Sequence, residues 1–229
     1  MRFAAAALGR RFGYFGRLKR RWCYSRTRLI DDPMREHQQA GFAIAAETAD
    51  PSGPVIETER LRLRRHRLSD LEARIAITGD AHFMRFVGGI YDRQENWSRL
   101  LRYIGHWATL GYGLLAVEER ATGRYIGDVG LARFERGLGP DFDPFPEAGW
   151  MIAQTVSGLG YATEGVAAAI DWHERTFGRQ RQVCMIDPAN HASLQVAAKL
   201  GFVPLREALN RGQPVLLHER TPPLPMGRD

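Results

Sequence analysis

Glu147-Ala-Gly-Trp-Met-Ile-Ala-Gln-Thr-Val-Ser-Gly-Leu-Gly-Tyr-Ala-Thr-Glu164 is the stretch around which the chain is organised. It reads as an apolar strand, a glycine-bearing turn and the first turn of a helix. That helix is continued by Val166, Ala169, Ile170, His173 and Phe177 at helical spacing, with Gly178 as the stop. Gly158 and Gly160 reach backbone angles closed to other residues and let a ligand approach the main chain. Their amides, with those of Tyr161 and Ala162, fall where a helix leaves its first N–H groups unpaired and carries partial positive charge, so a phosphate or pyrophosphate fits there. A strand-to-helix connection that needs glycine only for its own path explains the same residues equally well. The rest of the chain decides between the two.

The chain has 229 residues, 44% hydrophobic and 25% charged, the composition of a globular protein with one full core plus an extension. Every hydrophobic segment is broken by Arg, Asp or Glu, so no membrane span is expected. Cys23 and Cys184 lie far apart and suggest no disulfide, which points to the cytoplasm. The seven histidines show no metal-ligand spacing, and no metal is expected. Residues 1–35 carry ten Lys or Arg against Asp31 and Asp32, a balance of +8, so the remainder is close to neutral at −2 of the total +6. Residues 1–54 therefore read as a basic extension and linker, with the composition of a transit peptide or basic arm, or as the product of a start upstream of Met34. Residues 55–220 read as one folded domain and 221–229 as a proline-bearing tail.

Within the domain, Leu61 and Leu63 alternate with arginines as in a half-exposed strand. Ser69 with Glu72 suggests a capping box opening a helix. A second helix is expected from Glu95 to Leu110, with Trp97, Leu100, Leu101, Ile104 and Ala108 on its core face and Gly111 as its stop. Strands at 113–118 and 125–134 form an antiparallel pair across the turn at 119–123. Residues 135–146, with Gly137, Gly139, Pro140, Pro144 and Pro146, form a long loop. After the central stretch come a strand at Gln182–Ile186 with an inert Cys184, a helix from Asn190 to Leu200, and a final antiparallel pair around Asn210-Arg211-Gly212. A dinucleotide fingerprint fails because Thr163 stands where its third glycine belongs, and a nucleoside-triphosphate loop fails for want of a lysine.

The stretch Glu147 to Glu164, together with Asn190-His-Ala-Ser193, Lys199-Leu-Gly-Phe202 and Glu59-Arg-Leu-Arg-Leu-Arg64, resembles the GNAT superfamily of N-acetyltransferases. The nearest likeness is to the type that acetylates the N-terminal alanine of ribosomal proteins. The resemblance runs from about Ile56 to Arg220. It implies a single-domain α/β GNAT fold, with a mixed, mostly antiparallel sheet flanked by helices and the donor lying in a split between two strands. It also implies acetyl-coenzyme A as donor and a primary amine, on a protein N-terminus or a small molecule, as acceptor, joined by direct attack in a ternary complex.

On this resemblance the main chain of Trp150, Met151 and Ile152 pairs with the pantetheine arm, and one of these N–H groups polarises the thioester carbonyl. The turn residues Thr155, Ser157, Gly158, Leu159, Gly160, Tyr161 and Ala162 hold the pyrophosphate. An amine is mostly protonated at neutral pH, so a general base is needed, and Glu147 at the start of the cofactor strand is the candidate. Family members commonly protonate the departing thiolate with a tyrosine on the last helix, and here Ala197 occupies that position. Ser193 and Asn190, three apart on one helix face, are the nearest substitutes; an N-cap role for Asn190 and a buried hydroxyl for Ser193 are the alternatives. The turn also departs from the common pattern, with Thr155 where Gln or Arg is usual and no Lys or Arg inside it. Neutralisation of the phosphates is therefore expected from elsewhere in the fold. A monomer or homodimer is expected, without a specific nucleic-acid partner. The competing functional reading is a GNAT-like acyl-coenzyme A-binding protein with weak catalysis, whose basic arm contacts nucleic acid or anionic membrane.

Overall fold

Leu61 and Leu63 are fully buried in a four-residue strand, as their alternation with arginine requires. The computed structural model describes residues 54–221; the basic extension and the tail, with the expectations attached to them, lie outside the described residues. The element order is β1 (Pro54–Glu57), β2 (Leu61–Arg64), α1 (Leu71–Thr78), α2 (Ala81–Met84), α3 (Arg93–Leu110), β3 (Leu114–Glu119) and β4 (Tyr125–Ala132). Then follow β5 (Glu147–Ile152), α4 (Tyr161–Phe177), β6 (Gln182–Ile186), α5 (His191–Lys199), β7 (Val203–Asn210) and β8 (Gln213–Arg220).

The eight strands form one sheet in the order β1-β2-β3-β4-β5-β6-β8-β7. All neighbours are antiparallel except β5 and β6, so the mixed, mostly antiparallel α/β sheet expected from the sequence is present in a single domain. The two-residue loop of the last hairpin has Arg211 at φ 53° and Gly212 at φ 78°, left-handed at both positions as a hairpin with matching twist demands.

Two helix expectations needed correction. Ser69 and Glu72 do not cap α1; instead a 3-10 turn at Leu68–Asp70 precedes it, and Asp70 accepts from the Arg67 N–H at 2.7 Å. Asp70 is buried, and the two terminal nitrogens of Arg64 hold it at 2.7 and 2.8 Å, an interaction stronger than a solvent-exposed cap. Helix α3 begins two residues early because Asp92 and Glu95 form its capping box. Its buried face is Asn96, Leu100, Tyr103 and Trp107, whereas Trp97 and Leu101 are exposed. Asn96, which bonds Thr78 and the Tyr91 carbonyl, and not Trp97, marks the inward face.

The main core lies between the sheet and α4, where Val166, Ala169 and Ile170 pack against Leu61, Val117, Val129 and Leu131. His173 continues this face at 1% exposure, edge-on to Tyr112 and beside Phe177, as its apolar setting suggests. Neither ring nitrogen has a hydrogen-bond partner among the described residues, and burial lowers its pKa from 6.5 to about 4. The folded state thus resists a proton that the unfolded chain takes up readily. Stability attached to this group is full above about pH 6.5 and is lost as pH falls toward 4, by about 2 kcal/mol between pH 7 and pH 5. His173→Leu is expected to flatten that part of the acid limb, read as the change in melting temperature between pH 7 and pH 5. An unaltered limb would remove His173 as its source.

Candidate active site

Strands β5 and β6 share one registered pair, Glu147 with Val183, fixed by the Val183 N–H donating to the Pro146 carbonyl at 3.0 Å. Past it no pair is registered, and the strands part. On its other side β5 is fully paired with β4 from Glu147 to Ile152. Main-chain groups alternate in direction along a strand. Pro146 points to β6 and Ala153, which donates to the Ile126 carbonyl at 2.8 Å, points to β4. Beyond the Glu147–Val183 pair, Trp150 and Ile152 therefore present their N–H and C=O groups to the open edge, while those of Gly149 and Met151 face β4. Of the three residues expected to pair with a pantetheine arm, Trp150 and Ile152 are so disposed. The Met151 carbonyl instead lies against Gly127, whose φ is +148° and where an added Cβ would sit 2.0 Å from that oxygen. Glycine at 127 is what lets β4 and β5 close so tightly.

At the end of β5 the chain makes a 3-10 turn, Gln154–Val156, then passes through Gly158 at φ 80° and Gly160 at φ 83° into α4. No N–H from Gly158 through Thr163 makes a hydrogen bond among the described residues; the first paired amide is that of Glu164, to the Gly160 carbonyl. Thr155, Ser157, Gly158, Leu159 and Gly160 are exposed, and nothing lies within 4 Å of where a Gly158 Cβ would stand. Free amides at the N-terminus of a 17-residue helix fit a pyrophosphate. The arginine nearest the turn comes from the β1–β2 connection and is paired with an acid of α4. Arg60 donates to the Leu159 carbonyl at 2.9 Å, lies 4.7 Å over the Tyr161 ring and pairs with Glu164 at 2.6 Å.

A cleft of about 650 Å³ opens where β5 and β6 part. Glu147, Trp150, Met151, Asn190 and Ser193 line it; Ile152 and the turn residues do not. Glu147 is 5% exposed, and both its oxygens accept from Arg136, Nε and Nη2 each at 2.6 Å. Burial raises its pKa and the Arg136 guanidinium opposes the rise. Arg136 belongs to the loop between β4 and β5 and stacks 4.6 Å from the Phe134 ring, a partner for Glu147 that sequence spacing alone did not reveal. Just before α5, the Asn190 side-chain Oδ1 accepts from the Ser193 N–H at 3.1 Å and so caps the helix. The Ser193 hydroxyl accepts from the Trp150 indole N–H at 3.2 Å, half-buried. Ala197 is fully buried in the main core and presents nothing to the cleft.

The cleft floor holds a polar group whose members no sequence spacing connects. Asp128 of β4 is buried and accepts from Arg74 of α1, from the Tyr125 hydroxyl at 2.5 Å and, through Oδ1, pairs with His66 Nε2 at 2.7 Å. Despite its burial, Arg74 and His66 hold the Asp128 carboxyl far below its ordinary range. Among the described residues no His, Cys, Asp and Glu group could hold a metal ion, and no helix is long and apolar enough to cross a membrane.

This architecture has close counterparts. A GNAT-family acetyltransferase from Bordetella pertussis shares 30% identity, with 72% of this chain and 98% of that chain covered and a TM-score of 0.66. Uncharacterized protein YkkB of Bacillus subtilis is 28% identical over 173 residues, 71% of this chain and 93% of that protein. RimL, a ribosomal L7/L12 alpha-N-protein acetyltransferase solved with coenzyme A, shares the fold at 15% identity and TM-score 0.60, with 73% and 97% of the chains covered. The acetyltransferase (GNAT) domain family matches residues 60–203, and with the parted strands and the free amides of the turn this makes the chain a member of the GNAT family, an acetyltransferase that uses acetyl-coenzyme A.

Proposed function

We propose that the protein moves the acetyl group of acetyl-coenzyme A to a primary amine by direct attack in a ternary complex. The observation that carries this reading is Glu147, a buried carboxylate at the point where β5 leaves β6, beside the open main-chain edge of Trp150 and Ile152. The donor supplies the acyl group as a thioester, whose carbonyl an outward N–H of β5 polarises. The amine nitrogen forms the new C–N bond, Glu147 takes the proton the amine gives up, the C–S bond breaks and the sulfur receives a proton. Ser193 is the candidate for that last transfer, supported by the Trp150 indole N–H that fixes its oxygen. A cytoplasmic setting belongs to the same reading, supported by the buried free thiol of Cys184.

The two forces on Glu147 define a test. A base must be deprotonated, so kcat/KM should rise with pH through the Glu147 pKa. Glu147→Gln is expected to lower kcat/KM about a hundredfold or more and to abolish that acid limb. Arg136→Gln removes the cation that holds the carboxyl down, so the limb should move to higher pH. If Glu147→Gln retains the wild-type pH profile, Glu147 is not the base.

Ser193→Ala is expected to lower kcat by about tenfold to a hundredfold, with the melting shift produced by coenzyme A preserved. An unchanged kcat would assign the proton to another group.

A further inference from the structure

The cleft is unusually rich in arginine, and the charges divide unequally once paired groups are set aside. Arg74 is neutralised by Asp128 and Arg136 by Glu147. The other acids of the lining serve the backbone: Glu95 caps Asp92, and Asp187 accepts from the Ala189 N–H at 2.8 Å. Against them stand Arg85, Arg99, Arg102 and Arg211, so the lining carries an excess of two positive charges.

Arg99 and Arg102 are the pair of interest. They lie three apart on α3, and so on one face of it, and neither makes an ion pair or hydrogen bond among the described residues. Each is fixed by an aromatic ring instead. The Arg99 guanidinium lies 3.7 Å from the centre of the buried Tyr91 ring, and Arg102 lies 5.4 Å from Phe134 and 5.6 Å from Tyr103. Phe134 also carries Arg136, which brings Arg102 up to the Arg136–Glu147 pair. A guanidinium stacked on a ring keeps its in-plane N–H groups free, and its fork matches the two oxygens of a carboxylate or phosphate.

We infer that the acceptor amine carries an oxyanion, a carboxylate or a phosphate, that docks on Arg99 and Arg102 while the amino group stands at Glu147. This rests on the acetyl-transfer reading above and narrows its acceptor. Polyamines and basic peptide ends meet like charge in this cleft and are poor acceptors.

The test uses the full chain, saturating acetyl-coenzyme A and matched acceptors: phenylalanine against 2-phenylethylamine, and O-phosphoethanolamine against ethanolamine. In at least one pair the anion-bearing member should show a kcat/KM about tenfold or more above its partner, and the Arg99→Gln, Arg102→Gln double variant should lose that preference. The phenylalanine pair reports a carboxylate and the ethanolamine pair a phosphate. Retention of the melting shift produced by coenzyme A shows that the variant is folded. Amines acetylated without preference for the anion, or a preference kept in the variant, overturn the inference and leave acetyl transfer standing. If no amine is acetylated, the melting temperature of the coenzyme A-bound protein decides. A rise with an anion-bearing compound that the variant lacks sustains the anion site while acetyl transfer to these amines fails, and no rise overturns the inference.

Discussion

The single registered pair between β5 and β6 is the constraint on which the rest depends. A parallel pair continued along both strands would satisfy the outward groups of Trp150 and Ile152 internally and close the cleft. Because pairing stops at Glu147, one strand is held rigidly by β4 on one side and keeps an unpaired edge on the other. Exposed edges invite unwanted strand addition, and here the opening is confined between two strands that the remaining sheet anchors: β6 is paired with β8 through all of its residues. The opening is therefore narrow, fixed in place and sided by backbone.

Arginine does much of the work that apolar side chains leave undone around this opening. Arg64 with Asp70, Arg74 with Asp128 and Arg136 with Glu147 are each well buried on the acid side, and each would leave a costly unpaired charge if one partner were lost. Two of the three line the cleft itself. Arg74 and Asp128 make its floor stiff, whereas Arg136 sits on a loop and covers the carboxylate that a proton must reach. The positioning of Glu147 and its accessibility are thus governed by the same residue.

The sheet and the four longer helices were legible because their signals are local: alternation in Leu61 and Leu63, the helical spacing from Val166 to Phe177, and glycines at 111, 178 and 201 that take the left-handed or open conformations a chain reversal needs. The free amides of the turn were legible for the same reason, since glycine spacing speaks for backbone, whereas Met151, expected on the open edge, faces β4. What escaped reading depends on side chains distant in sequence. Trp97 looked like core because it is large and apolar, yet Asn96 is the buried neighbour, its amide satisfied by Thr78 18 residues away. Nothing in the order of residues joins Arg60 to Leu159 or Arg74 to Asp128. Arginine is frequent enough in this chain that its spacing alone distinguishes no pair.

Arg60 also resolves a conflict built into the turn. Glu164 stands in the first turn of α4, where its negative charge favours the helix but competes with any phosphate for the same positive end. The fold draws the carboxylate sideways: Oε1 accepts from the Thr58 hydroxyl at 2.6 Å and the Arg60 N–H at 3.1 Å, and Oε2 from Arg60 Nε at 2.6 Å. Partial burial works against the charge, but these bonds hold the Glu164 carboxyl below its usual range. The acid is thereby spent on tying α4 to the β1–β2 connection, and the amides from Gly158 to Thr163 stay free for an anion. Since Arg60 is also bound to the Leu159 carbonyl, one guanidinium fixes the shape of the turn and cancels the charge that would compete with an anion there.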